Sequence, residues 1–131
     1  MTELIETLKA EHADIKEALL TLHELGIDAQ EGKKNLLTVK EKLLAHLKKE
    51  DTHLYPKLLK AAKTDPIIED AMDFFSQDIE VVSEVALNFF EKYANNISVT
   101  DFEKDFITLT DLLAQRIQKE EAVIYLMYDQ L

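Results

Sequence analysis

The chain has no cysteine, and only two glycines and two prolines among 131 residues. Without cysteine, disulfides, thiolate zinc sites and cysteine nucleophiles are excluded, and the redox compartment stays open on that count. So few helix breakers, set against abundant Leu, Ala, Glu and Lys, favour an all-helical chain. Positive charge is also scarce: 15 Lys and Arg against 26 Asp and Glu give a net charge of −11. Such a chain repels nucleic acid and anionic lipid, because binding them depends on basic groups displacing counterions. No basic patch with interleaved aromatics offsets this. Long apolar runs are missing, so no membrane span is expected. The opening "MTELIETLKAEHADIK" is charged from its third residue and has no apolar leader core, which makes a cytoplasmic location the expectation. Gly-rich phosphate loops, nucleophile elbows and a Ser-His-Asp order are absent too.

What remains is 47% apolar and 31% charged. A chain of this length holds one domain with a real core, here residues 1–131. Four helical segments emerge. The first runs from about Thr2, as N-cap, to Leu25, with Gly26 as a C-terminal cap. "IDAQEGKKN" reads as the loop after it. A second helix runs from about Leu36 into the low fifties, where Pro56 should kink or end it, and "KLLKAAKTD" adds a short helical extension. Asp65-Pro66 starts a third helix that runs to about Ala94. "NNISV" is a turn, and Thr100-x-x-Glu103 is a capping box opening a fourth helix that runs almost to Leu131. Four long helices with short loops imply an antiparallel up-down four-helix bundle.

Core stripes on bundle helices advance by alternating steps of three and four. Leu8, His12, Ile15, Leu19 and Leu22 form one on the first helix. Leu36, Val39, Leu43, His46, Glu50 and His53 form one on the second. The third carries two adjacent rows: Ile67, Ala71, Phe74, Asp78, Val81, Val85, and Ile68, Met72, Phe75, Ile79, Val82, Ala86. The fourth lines up Phe102, Phe106, Leu109, Leu113, Arg116, Glu120, Val123 and Met127. Polar groups therefore interrupt apolar rows at His12, His46, Glu50, Asp78, Arg116 and Glu120. A buried ion without a partner costs several kcal/mol, so these groups must pair or bind a metal. His and carboxylate four residues apart point the same way, which is ligand geometry for iron, manganese or zinc. One internal similarity stands out: "LAHLKKEDTHLY" matches "AQRIQKEEAVIY", pairing Glu50 with Glu120, Tyr55 with Tyr125, and His46 with Arg116.

"LKAEHADI", "HLKKEDTHLYP" and "KEEAVIY" together resemble the hemerythrin-like, or HHE cation-binding, family, over essentially the whole chain. The resemblance implies a four-helix bundle with a non-haem di-iron centre, and roles in oxygen binding, oxygen or redox sensing, or iron handling. It places His12 as the first-helix ligand, His46 and Glu50 as the second-helix pair, and Glu120 as the fourth-helix carboxylate. The rest of the pattern departs. The third helix has no histidine, only Gln77 or Asp78, and the histidine expected on the fourth falls on Arg116. Arginine stays protonated and offers no lone pair. Its cation can stand in for a missing metal, forked against Asp78, Glu50 or Glu120.

Two readings follow. In the first, one iron is held by His12, His46, Glu50 and Glu120, in a binding or sensing protein that is not a turnover enzyme, with dioxygen as a second ligand. In the second, no metal is bound and a salt-bridged bundle acts as a protein–protein interaction or regulatory module. A redox enzyme using one iron is a third reading. A lone histidine on an apolar row is more often a hydrogen-bonded core residue than a ligand, and His12 alone would be read so. His53 reads as a partly exposed residue near the bundle end. His23 lies about 16 Å along the helix from His12, too far to share its site. Tyr55, Tyr93, Tyr125 and Tyr128 read as core-edge aromatics, and the remaining Glu and Lys as solvated faces.

Overall fold

The computed structural model describes residues 2–27, 30–94 and 101–131. These form four helical arms, and no strand occurs among the described residues. The first arm is α1 (Glu3–Leu25). The second runs through α2 (Gln30–Lys49), a π-helical turn (Glu50–Leu54) and α3 (Tyr55–Ala62). The third is α4 (Pro66–Ala94). The fourth runs through α5 (Phe102–Lys119), a second π-helical turn (Glu120–Ile124) and α6 (Tyr125–Asp129). The chain is thus all-α, in a four-helix bundle.

The expected caps hold where they are described. The Thr2 hydroxyl accepts from the Ile5 N–H, and the Gly26 N–H closes α1 onto Leu22 O with φ at +67°, where a side chain would be strained. Asp65 Oδ1 accepts from the Ile67 N–H at 3.0 Å, which caps α4 behind Pro66. The turn expected at 95–99 and the capping-box Thr100 lie outside the described residues.

Two boundaries differ from expectation. α2 starts at Gln30 rather than near Leu36, so most of the expected loop is helix. Gly32 makes this start possible: a Cβ there would lie 1.7 Å from Gly26 O, a clash with backbone. Pro56 does not end the second arm, which continues to Ala62. Its missing N–H falls just after the π turn, at the start of α3, where the loss of a hydrogen bond matters least.

Side-chain bridges fix the direction of each neighbour. Lys42 reaches Asp14 and His46 reaches Glu11, so α1 and α2 are antiparallel. Lys92 reaches Asp105 and Lys119 reaches Asp78, so α4 and α5 are antiparallel. Thr2 N–H donates to Asp129, and His23 meets Glu103, which sets the first and fourth arms antiparallel. The second and fourth arms are therefore diagonal across the bundle and run the same way.

The core is split in two. One apolar cluster gathers Ile15–Leu22, Leu36–Leu47, Val82–Tyr93 and Phe102–Leu113 side chains. The other gathers Ile5, Leu8, Leu54, Leu58, Ile68, Met72, Phe75 and Ile124 around Tyr55 and Tyr125. Each fully buried Leu or Ile contributes about 1.5–3 kcal/mol, so these clusters carry the fold. Between them lies a layer of buried polar side chains: His12, His46, Glu50, Arg116 and Glu120.

Only one of the two rows on α4 turns inward. Ile68, Met72, Phe75, Val82 and Ala86 are buried, whereas Ile67 is 76% and Phe74 72% exposed. Asp78 belongs to that outer row. It lies half-exposed at the surface against Lys119 and does not join the buried layer. The alternating spacing is the same in both rows, so spacing alone did not separate them. The inner row wins because it continues into Phe89, Phe90 and Tyr93, which are all buried.

Candidate metal centre

α1 and α2 each bring one histidine to the polar layer by keeping it in step with its leucines. Both imidazoles are oriented from outside. His12 Nδ1 lies 2.7 Å from Glu121 Oε2, and His46 Nδ1 lies 2.9 Å from Glu11 Oε1. A carboxylate there fixes Nδ1 as the protonated nitrogen, so Nε2 carries the lone pair that faces inward. Glu11 and Glu121 are thus not simply parts of solvated faces. Sequence alone gave one clue to them: each adjoins a buried site residue, Glu11 beside His12 and Glu121 beside Glu120.

The two carboxylates come from the two π-helical turns. In each turn an N–H skips back five residues: Tyr55 N–H to Glu50 O, and Tyr125 N–H to Glu120 O. A π turn carries an extra residue, so the buried row slips by one place. After Glu50 the buried residues are Leu54 and Tyr55, and His53 is exposed. After Glu120 they are Ile124 and Tyr125, whereas Val123 is 37% exposed and Met127 only partly buried. The slip rotates both tyrosines inward from the core-edge positions expected of them. Proline does not cause it, since the second turn contains none.

The tyrosines complete the site. Tyr55 Oη donates to Glu120 Oε2 at 2.6 Å. Tyr125 Oη donates to Glu50 Oε2 at 2.7 Å and lies 3.1 Å from His12 Nε2. Burial, and then the charges of Glu120 and Glu50, push both phenols far up from their ordinary value. They are donors in the protein alone.

Arg116 is buried, as its place on the α5 stripe required. Its Nη2 donates to Glu50 Oε1 at 3.2 Å and its Nε to Glu120 Oε2 at 3.3 Å. Its Nη1 meets α4 at Ile79 O, 3.2 Å away, and Ser83 Oγ, 3.5 Å away. Of the three carboxylates weighed as its partners, two are used, and the third, Asp78, is not. α4 therefore supplies a backbone carbonyl and a hydroxyl to the site, both to the guanidinium.

His12, His46, Glu50 and Glu120 each present one donor atom, and these four atoms lie within 4.8 Å of one another. His12 Nε2 is 3.3 Å from Glu120 Oε1, and His46 Nε2 is 3.4 Å from Glu50 Oε1. The second contact is an ion-pair distance without hydrogen-bond alignment. His46 Nε2 is the buried side-chain polar atom left with no hydrogen-bond partner among the described residues. An orphaned imidazole nitrogen beside two carboxylates is a donor set for a first-row transition metal. The space lined by these four residues, Arg116 and apolar neighbours is about 10 Å³. That is close to the least volume that holds a single water.

The electrostatics divide the carboxylates. Burial pushes Glu50 up to about 7, the Glu120 charge adds to this, and His46 opposes it. Burial also raises Glu120, but the adjoining polar groups of His12 and Glu50, the Arg116 cation and the Tyr55 hydrogen bond outweigh it and hold Glu120 well below the usual range. His46 is lowered by burial yet raised on balance by Glu50 and Glu11. Arg116 and Glu120 are thus an ion pair, and Glu50 is the more weakly acidic of the two carboxylates.

No helix among the described residues is long and apolar enough to cross a membrane. The model of the hemerythrin HHE cation binding domain matches residues 3–128. Comparison with curated proteins and with solved structures finds no match.

Proposed function

The chain belongs to the hemerythrin HHE cation-binding family, and we propose that it binds one iron ion through His12, His46, Glu50 and Glu120. The observation that supports this most is the buried, unpartnered His46 Nε2 facing the other donors. Two imidazoles and two carboxylates suit iron, with manganese and zinc as competitors. One ion rather than two is supported by Arg116. The guanidinium occupies the α4 side of the layer, where it takes up Ile79 O and Ser83 Oγ.

Iron so held would supply a one-electron couple and a position for dioxygen. The protein's own residues do the rest. Glu11 and Glu121 keep the two Nε2 atoms turned inward. Tyr55 and Arg116 fix the rotamer of Glu120, and the two apolar clusters keep bulk water from the layer. The role in this reading is binding, in oxygen or redox sensing or in iron handling, rather than turnover, and the small space beside the four donors supports it. Calorimetric titration of the metal-free protein with ferrous iron under argon tests the reading. One site per chain is expected in the wild type and none in His46→Ala, and equal binding by both would remove it.

A second reading is a metal-free bundle that acts as an interaction or regulatory module. It is favoured by the Arg116 network, which already neutralises the layer, and by Ile67 and Phe74 on the outer face of α4. A ligand that binds only the folded state raises its stability. An iron-dependent rise in melting temperature would therefore eliminate this reading, and no rise would favour it.

A further inference from the structure

Resting on the single-ion reading above, we propose that Tyr125 is itself a metal ligand, through its phenolate oxygen, when the site holds ferric iron. Tyr125 Oη stands among the donors rather than behind one of them. It is 2.7 Å from Glu50 Oε2, 3.1 Å from His12 Nε2 and 3.5 Å from Glu120 Oε1. Neighbouring ligands on one octahedral ion, with bonds of roughly 2.1 Å, lie about 3 Å apart. The three separations match that spacing, as do the His12–Glu120 and His46–Glu50 pairs.

The internal repeat supplies a control. Tyr55 follows Glu50 as Tyr125 follows Glu120, each brought in by its own π turn. Yet the Tyr55 hydroxyl meets one donor residue only, at Glu120 Oε2, an oxygen already engaged by Arg116. Tyr55 is a positioning residue, and Tyr125 occupies a ligand position. Because the two share burial, origin and chemistry, the difference between them lies in placement.

Charge favours the same assignment. A ferric ion with the Arg116 cation, set against the carboxylates of Glu50 and Glu120, leaves two positive charges uncompensated in a buried layer. A phenolate removes one of them, and phenolate oxygen is a hard donor suited to ferric iron. On coordination the Tyr125 O–H bond is replaced by an O–Fe bond and the proton leaves to solvent, with no change in oxidation state.

The experiment loads metal-free protein with ferric citrate, removes excess iron, and records iron content and visible absorption. Ferric phenolates show a charge-transfer band that imidazole and carboxylate ligands alone do not give. The wild type and Tyr55→Phe should both show the band, and Tyr125→Phe should lose it. Iron-loaded wild type without the band, or a band kept by Tyr125→Phe, would overturn the assignment and leave the single-ion reading standing. A wild type that takes up no iron would overturn both. Should Tyr125→Phe fail to fold, as judged by circular dichroism, the other two proteins decide. A band in both leaves Tyr125 as its source, and a band absent from the wild type or lost in Tyr55→Phe rejects it.

Discussion

Arg116 Nη2 donates to Glu50 Oε1 across 3.2 Å in a layer where both side chains are buried. The internal repeat aligns Arg116 with His46. A cation therefore sits on the fourth arm where the second arm carries a neutral donor. Removing one partner of a buried ion pair leaves the other uncompensated. Arg116→Leu is accordingly expected to destabilise the metal-free protein by about 3–5 kcal/mol. Urea unfolding in the presence of a chelator measures this. An unchanged midpoint would mean that the guanidinium is not buried in solution.

Arg116→His tests the same position from the other side. An imidazole at 116, four residues before Glu120, adds a lone pair on the face that already holds the fourth-arm carboxylate. Iron content after iron-supplemented expression should rise above that of the wild type. If the variant folds and its iron content stays the same, position 116 does not face the donors.

The metal-free protein should be more stable at mildly acidic than at mildly alkaline pH. Glu50 is raised from the usual carboxylate range to about 7, so the folded state holds a proton that the unfolded chain releases. The stability gained is complete below the unfolded value and lost as pH rises through 7. His46, also raised, acts in the same sense. The overall negative charge contributes a slope as well, so the comparison is with Glu50→Gln. Thermal melts of both from pH 5 to pH 8 should show a shallower slope in the variant. Parallel slopes would mean that Glu50 ionises normally in the folded protein.

Glu11 and Glu121 orient the imidazoles without touching the inner donors. Neutralising such an outer partner typically lowers metal affinity by about 10–100-fold. Glu121→Gln and Glu11→Gln should each weaken iron binding within that range, in competition with a chelator of known affinity. Full affinity in both would show that the Nδ1 contacts do not set the orientation.

The bundle was legible in the sequence because long helices, few breakers and well-placed caps agree at every level. His12, His46, Glu50, Arg116 and Glu120 were legible because each keeps step with an apolar row up to its own position. What failed was extrapolation past Glu50 and Glu120. A π turn carries an extra residue and leaves no mark in a period of 3.6, so the row extended through Val123 and Met127 is filled by Tyr125 instead, while the exposed His53 agrees with its reading as a bundle-end residue. The one hint was the repeat itself, which set a tyrosine five residues after each glutamate. Asp78 was misplaced for a different reason. α4 carries two apolar rows of equal spacing, and only packing against its neighbours tells which one is inside.

Iron per chain is the most direct measure of the central claim. Untagged protein, expressed with added iron and purified without chelator, should carry iron approaching one equivalent. Less than roughly a tenth of an equivalent of any transition metal, the level of adventitious binding to surface carboxylates and imidazoles, would contradict it. His12, His46, Glu50 and Glu120 would then be the polar core of a metal-free bundle.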